Sequence, residues 1–249
     1  MNTQSELISG IYNYCDAWCE RCLFTSRCRS YQIQHETGLA KPQTAGDDLI
    51  QKLTDALTLT KKYVENLTGT QGQHALMGEQ AQALETKVVR QSDFRKHPLA
   101  LLANDYLRQT GLWLPVGKDL LEEAGQRQIG AVELGLQTQE DAMHLLHTLK
   151  DAWEMIRWYR TLIPVKTLAV LRALAEPVTD PQLSSYHAGK AKLILVSIDQ
   201  SLLAWETIIQ FFPEETDDLL DLMALLSRLR RELETLCPDA RAFMRPGLD

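Results

Sequence analysis

Several things a chain of this length often carries are missing. No continuous apolar run approaches the length needed to span a bilayer. The opening residues, MNTQSELISGIYNY, have neither the basic start nor the apolar stretch of a secretory signal. These two absences lead us to expect a cytoplasmic, reducing location and no membrane partner. There is no excess of positive charge: 26 basic residues stand against 33 acidic ones, for a net charge of −7. Bulk electrostatics therefore gives no reason to expect a nucleic-acid partner. The sequence has no glycine-rich phosphate loop, no G-x-S-x-G elbow and no dinucleotide fingerprint, which removes the commonest enzyme classes. It also has no alternating strand pattern and no repeat period. Outside one short segment it has a single cysteine, Cys237.

What is present is helical periodicity and a core-forming share of apolar residues. The hydrophobic content of 45% over 249 residues is ample for a self-supporting core. After a connector, HETGLAKPQTAGDD, helical spacing begins near Asp47, with Leu49, Ile50, Leu53, Leu57 and Val64 recurring three and four apart. A polar helical stretch follows from Glu79 to Arg90. A helix opens near Pro98, a residue suited to a first turn, and is expected to fade at Gly111. From about Gly130 to Ile163, the residues Ala142, Leu145, Leu146, Leu149, Trp153, Ile156 and Tyr159 form one stripe. Pro164 is expected to kink or break that helix. Tyr186 to Phe212 reads as a central, buried helix and DDLLDLMALLSRLRRELETL as a last amphipathic one. The expectation is an all-α fold: a bundle of about six or seven helices over 47–249, preceded by a cysteine-rich, metal-binding segment and connector over 1–46.

That segment, YCDAWCERCLFTSRCRSY, holds four of the five cysteines in the spacing Cys15-x3-Cys19-x2-Cys22-x5-Cys28. Thiols so clustered in a reducing compartment point to metal binding or catalysis rather than disulfides. Four soft ligands suit either zinc or an iron–sulfur cluster. Structural zinc sites usually pair two C-x2-C knuckles, and only one is present. A cubane cluster spreads its ligands over four iron corners, so uneven gaps fit it better. A [4Fe–4S] cluster held by Cys15, Cys19, Cys22 and Cys28 is therefore expected, with zinc as the alternative. Tyr14, Trp18, Phe24 and Tyr31 surround the thiols, either shielding a cluster or packing the segment onto the bundle. Arg21, Arg27 and Arg29 would offset the negative charge of thiolates.

The stretch CERCLFTSRC, Cys19 to Cys28, resembles the C-x2-C-x5-C end of the iron–sulfur loop of endonuclease III-type DNA glycosylases and of some cluster-bearing nucleases. The resemblance implies a [4Fe–4S] ligand set. It covers this loop alone, the first cysteine stands closer to the second than in the glycosylases, and their catalytic hairpin has no counterpart, so glycosylase activity is not implied. CDAWCERC is also similar to the cluster motif of radical SAM enzymes. Here a fourth cysteine follows, no barrel strands follow, and Arg21 replaces the usual aromatic residue. The stretches WEMIRWYRTLIPVK and SIDQSLLAWE resemble uncharacterised bacterial helical proteins, a likeness that implies no function.

Two further constellations bear on chemistry. Glu140, His144, His147, Asp151, Glu154 and Trp158 share one helical face. Lys192, Asp199 and Glu206 are seven apart and nearly aligned, with both acids expected among apolar neighbours and in need of partners: Lys166, Arg157, Arg172 or a metal. Without any Glu-x2-His pair, an ion-pair network is expected in preference to a second metal site. Cys237 is not expected to be a ligand. Three roles remain open on sequence: an interaction protein whose metal staples the N-terminus, an electron-transfer or redox-sensing component, and a metal-dependent enzyme working between the long helices. Four cysteine ligands saturate a cluster, which favours the first two.

Overall fold

The computed structural model describes residues 6–36, 94–175 and 181–249. The expected helical runs beginning near Asp47 and at Glu79 to Arg90 lie outside the described residues. Among those described there are five α-helices and no strand: α1 (Arg29–Glu36), α2 (Pro98–Glu133), α3 (Gln139–Ala175), α4 (Pro181–Phe211) and α5 (Thr216–Leu236). The all-α reading holds, in four long helices and one short one. The chain divides into two units. One comprises Met1–Leu7 and Cys19–Ser92; the other comprises Ile8–Trp18 and Asp93–Asp249.

The second unit is a four-helix bundle. Helix α2 packs on α3 and α5, and α4 packs on the same two, which closes a ring of four. The connections Leu134–Thr138 and Phe212–Glu215 are short, so successive helices run antiparallel. Local chemistry sets the starts. The backbone N–H of Leu99 donates to His97 Nδ1 at 3.2 Å just before Pro98, and Thr138 Oγ1 accepts from the N–H of Asp141 at 3.1 Å while its hydroxyl donates back to the Asp141 carboxylate at 2.7 Å. The interior is written in threes and fours: Leu219, Leu222, Leu226, Leu229 and Leu233 on α5, and Ile194, Ile198, Trp205 and Ile208 on α4, all buried. Ser197 and Ser201, buried on α4, donate to the carbonyls of Leu193 and Ser197 one turn back, so no hydroxyl there is stranded. The Trp205 indole N–H donates to Tyr106 Oη at 3.2 Å across the core.

The helix expected to fade at Gly111 does not end there, and the helix expected to kink or break at Pro164 does not break: α2 continues past Gly111 and Pro115, and α3 past Pro164. Gly111 is a packing glycine: a Cβ there would sit 2.9 Å from the Arg160 guanidinium, which reaches over from α3 to donate to the Leu107 carbonyl at 3.1 Å. Pro164 is itself buried beside Ile163 and Thr167, so it packs in the core although an interior proline costs a helix about 3 kcal/mol through the missing N–H and the ring clash. Gly130, expected to lie near the start of α3, instead belongs to the end of α2.

Helix α4 is the most apolar. Its span Ser185–Phe211 has the length and composition to cross a membrane: an 18-residue stretch of it has a mean hydropathy of 1.2, and half of that stretch is buried inside the bundle.

Candidate metal centre

In the first unit the chain makes two single 3-10 turns, Cys19–Arg21 and Thr25–Arg27, and then enters α1. Cys19 opens the first turn and its carbonyl accepts from the N–H of Cys22 at 3.2 Å. The N–H of Phe24 donates to Cys22 Sγ at 3.4 Å. Cys28 stands immediately before α1, and its carbonyl accepts the first α-helical bond, from Gln32, at 3.1 Å. The Arg27 guanidinium donates to the Glu6 carbonyl at 3.0 Å, tying the chain start to the second turn. Cys19, Cys22 and Cys28 are all half-buried, and none is in a disulfide. Among the described residues of this unit no side chain is buried, and Leu23 is 89% exposed.

Cys15 belongs to the second unit, on a segment pressed against the bundle. Ile11 is buried in a 3-10 turn. The Tyr14 ring meets Tyr186 of α4 and Phe243 of the C-terminal tail, with centroids 6.0 and 5.0 Å away. Gly189 makes this approach possible, since a Cβ there would collide with the Tyr14 ring. Burial, and then the neighbouring Tyr186, push the Tyr14 phenol above the ordinary tyrosine range. Past Cys15, the Asp16 carboxylate accepts from the Tyr159 hydroxyl at 2.8 Å and from the N–H of Trp18 at 3.1 Å. The Asp16 carbonyl accepts from the Trp158 indole N–H at 3.2 Å. Trp18 stacks flat on Trp158, centroids 5.0 Å apart, and meets Tyr159 edge-on. Between them Ala17 takes φ 59°, a left-handed conformation costly for a residue with a Cβ.

Of the aromatic residues flagged by sequence, Tyr14 and Trp18 thus pack their segment onto the bundle. Tyr31 instead meets His35 on its own helix, centroids 4.0 Å apart. Among the described residues, no group of three or more His, Cys, Asp or Glu side chains is gathered as a metal site.

The two polar stripes turn outward. Glu140, His144, His147 and Asp151 are exposed on α3, and Lys150 pairs with Glu154 at 3.8 Å. Their line ends at Trp158, where the N-terminal segment docks. Asp199 and Glu206 were expected to be buried; Asp199 is only partly covered and Glu206 is exposed. The spacing of seven is correct, but it traces the narrow outer strip of α4 with Leu203 and Gln210. The cations that meet Asp199 are also different from those expected: Arg241 of the tail, and Arg230 of α5 at 3.3 Å, in place of Lys166 and Arg157. Arg241 also binds Glu234 at 2.7 Å, and the Asp199 hydrogen bond holds its guanidinium pKa above the ordinary value.

The tail is more ordered than an irregular end. Lys192 Nζ donates to the Arg241 carbonyl at 2.8 Å, Phe243 covers Tyr14, and Gly247 lies against Ile8. Cys237 lines a cleft of about 180 Å³ with Leu174, His187, Leu236, Pro238 and Ala240, and burial pushes its thiol pKa up.

Sequence reasoning passed over Asp16, Gly189 and Phe243, and read Tyr159 only as part of an apolar stripe. Asp16 did carry a signal: an aspartate two residues before Trp18, in the gap between two cysteines, is an Asx-turn former. Gly189 and Phe243 carried none, since their roles depend on which distant segment lands on them. No family model, curated protein or solved structure matches this chain.

Proposed function

We propose that this is a metal-binding helical protein whose N-terminal cysteines, Cys15, Cys19, Cys22 and Cys28, hold a [4Fe–4S] cluster in a structural, interaction or electron-transfer role. The observation that carries the reading is the contrast in burial. Residues 19–35 bury no side chain, yet they carry three half-buried thiols in ordered turns. Turns that carry clustered thiols and bury no side chain among the described residues are a setting in which a thiolate-bound metal supplies order.

The donor set fits such a group. Four thiols suit soft iron or zinc, and the amide of Phe24 already points at Cys22 Sγ, the kind of hydrogen bond that supports a metal-bound thiolate. The thiols need not be preassembled, because metal binding and local ordering are coupled in such segments. When bound, the cluster would supply a cross-link and a one-electron couple. The protein's own residues supply the turns, the docking of the Cys15 segment through Tyr14 and Trp18, and the positive charge of Arg21, Arg27 and Arg29. Uneven cysteine spacing and the likeness of Cys19–Cys28 to glycosylase cluster loops favour iron–sulfur over zinc. A reducing, cytoplasmic setting belongs to the same reading.

Anaerobic purification followed by an optical spectrum and assays of iron, sulfide and zinc tests it. The expected result is a broad visible band, bleached by dithionite, with iron and sulfide in equal amounts. A colourless protein with one zinc makes the site a structural zinc staple. Protein devoid of both metals, even after anaerobic reconstitution, overturns the proposal.

A further inference from the structure

Resting on the metal-binding reading, we infer that the Cys15–Trp18 loop couples the metal to the bundle, with Asp16 as the positioning residue. The loop is fixed at more points than docking requires. Both carboxylate oxygens of Asp16 are used, one by Tyr159 and one by the Trp18 amide, and its carbonyl is used by Trp158. Trp18 is clamped on Trp158, and Ala17 is held at φ 59° between them. Strain of this kind persists only where the surroundings over-determine it, and it concentrates where a side chain must be aimed. The chain leaves this bracket directly into Cys19 and enters it directly from Cys15.

The fixed bracket removes conformational freedom from the segment that carries Cys15 before metal arrives, so less ordering has to accompany binding. By linkage, the metal must stabilise the bracket by as much as the bracket strengthens metal binding. Through Tyr14, which is covered by Phe243, the same coupling extends to the C-terminal tail. Metal occupancy would then be felt at Trp158 and Tyr159 of α3 and at Phe243 of the tail, far in sequence from the cysteines.

The test compares wild type, Asp16→Ala, Asp16→Asn and Tyr159→Phe after anaerobic reconstitution with ferrous iron and sulfide, or with zinc if that is what the wild type retains. The readouts are the rate of metal release to a colorimetric chelator, helical content by circular dichroism, and the melting shift between metal-loaded and metal-free protein. Asp16→Ala is expected to release metal about 10-fold faster or more, the usual effect of losing a group that orients a ligand. Asp16→Asn, keeping one acceptor oxygen, should fall between it and wild type. The melting shift should shrink in the same order at unchanged helical content, which a purely structural role would not produce. Should Asp16→Ala fail to fold, Tyr159→Phe, which removes a single hydroxyl, decides by the same two readouts. Wild type that takes up no metal overturns the proposed function itself. Wild type that holds metal, with folded variants that release it at the wild-type rate, overturns the coupling and leaves the metal site standing.

Discussion

The bundle and the cysteine-bearing turns solve the same problem with different materials. Around α4, the side chains of Ile194, Ile198, Trp205 and Ile208 are wholly buried, and apolar burial carries the stability. Between Cys19 and His35 no side chain is buried, and the turns carry backbone hydrogen bonds together with side-chain bonds such as Arg27 to the Glu6 carbonyl and Gln32 to the Ser26 carbonyl. The difference teaches where to expect each kind of sensitivity. The bundle should respond to lost volume and keep its fold in a chelator, giving up only the stabilisation that reaches it through the Asp16 bracket. The turns should respond first to thiol loss.

The sharpest way to break this contrast is inside the core. Trp205→Ala removes a fully buried indole and leaves the Tyr106 hydroxyl without its donor, so it should cost about 3–5 kcal/mol by chemical denaturation without altering metal per folded chain. The same core predicts a pH effect. Burial raises the Tyr106 phenol pKa above its ordinary value. Its contribution is fully present below the ordinary tyrosine range, and is lost as pH rises through that range toward the folded value, because the unfolded chain ionises first. Tyr106→Phe should flatten the alkaline limb of the stability profile, and an unchanged limb would place the alkaline sensitivity elsewhere.

Next in size is the seam between the bundle and the Cys15 segment. Gly189→Ala puts a methyl group into the Tyr14 ring. Overpacking of this kind should cost about 1–3 kcal/mol, and proteolysis should reach the Ile8–Trp18 segment before the helices. Protection equal to wild type would mean the segment docks without Tyr14.

The smallest expected effect is at Asp199. Its pairs with Arg230 and Arg241 are one-third exposed. Asp199→Asn should cost about 1 kcal/mol or less and leave metal content unchanged. Loss of metal in that variant would revive a second site on the helices.

How far the sequence could be read follows from the same contrast. The α5 leucines and the α3 stripe were legible because burial on one helix face imposes a period. Gly111 and Pro164 misled because their ordinary meaning is local, whereas here a neighbouring helix decides: Arg160 occupies the space Gly111 leaves, and packing holds Pro164 in register. The alignment of Asp199 with Glu206 was legible, but not its direction, because an outward strip on a mostly buried helix has the same period as an inward one. Cys15, Cys19, Cys22 and Cys28 stood out by density. The anchoring of the Cys15 segment, through Asp16 to Trp158 and Tyr159, spans more than a hundred residues of chain, which no local pattern encodes.

The central claim is that the cysteines hold a metal and that the bundle stands without it. Cys22→Ala, compared with wild type for metal content and for helical content on heating, tests both halves at once. The account predicts that stoichiometric metal is lost while the bundle keeps its helicity and a cooperative melt. Metal retained at the wild-type level, or global loss of helix in the variant, would contradict it.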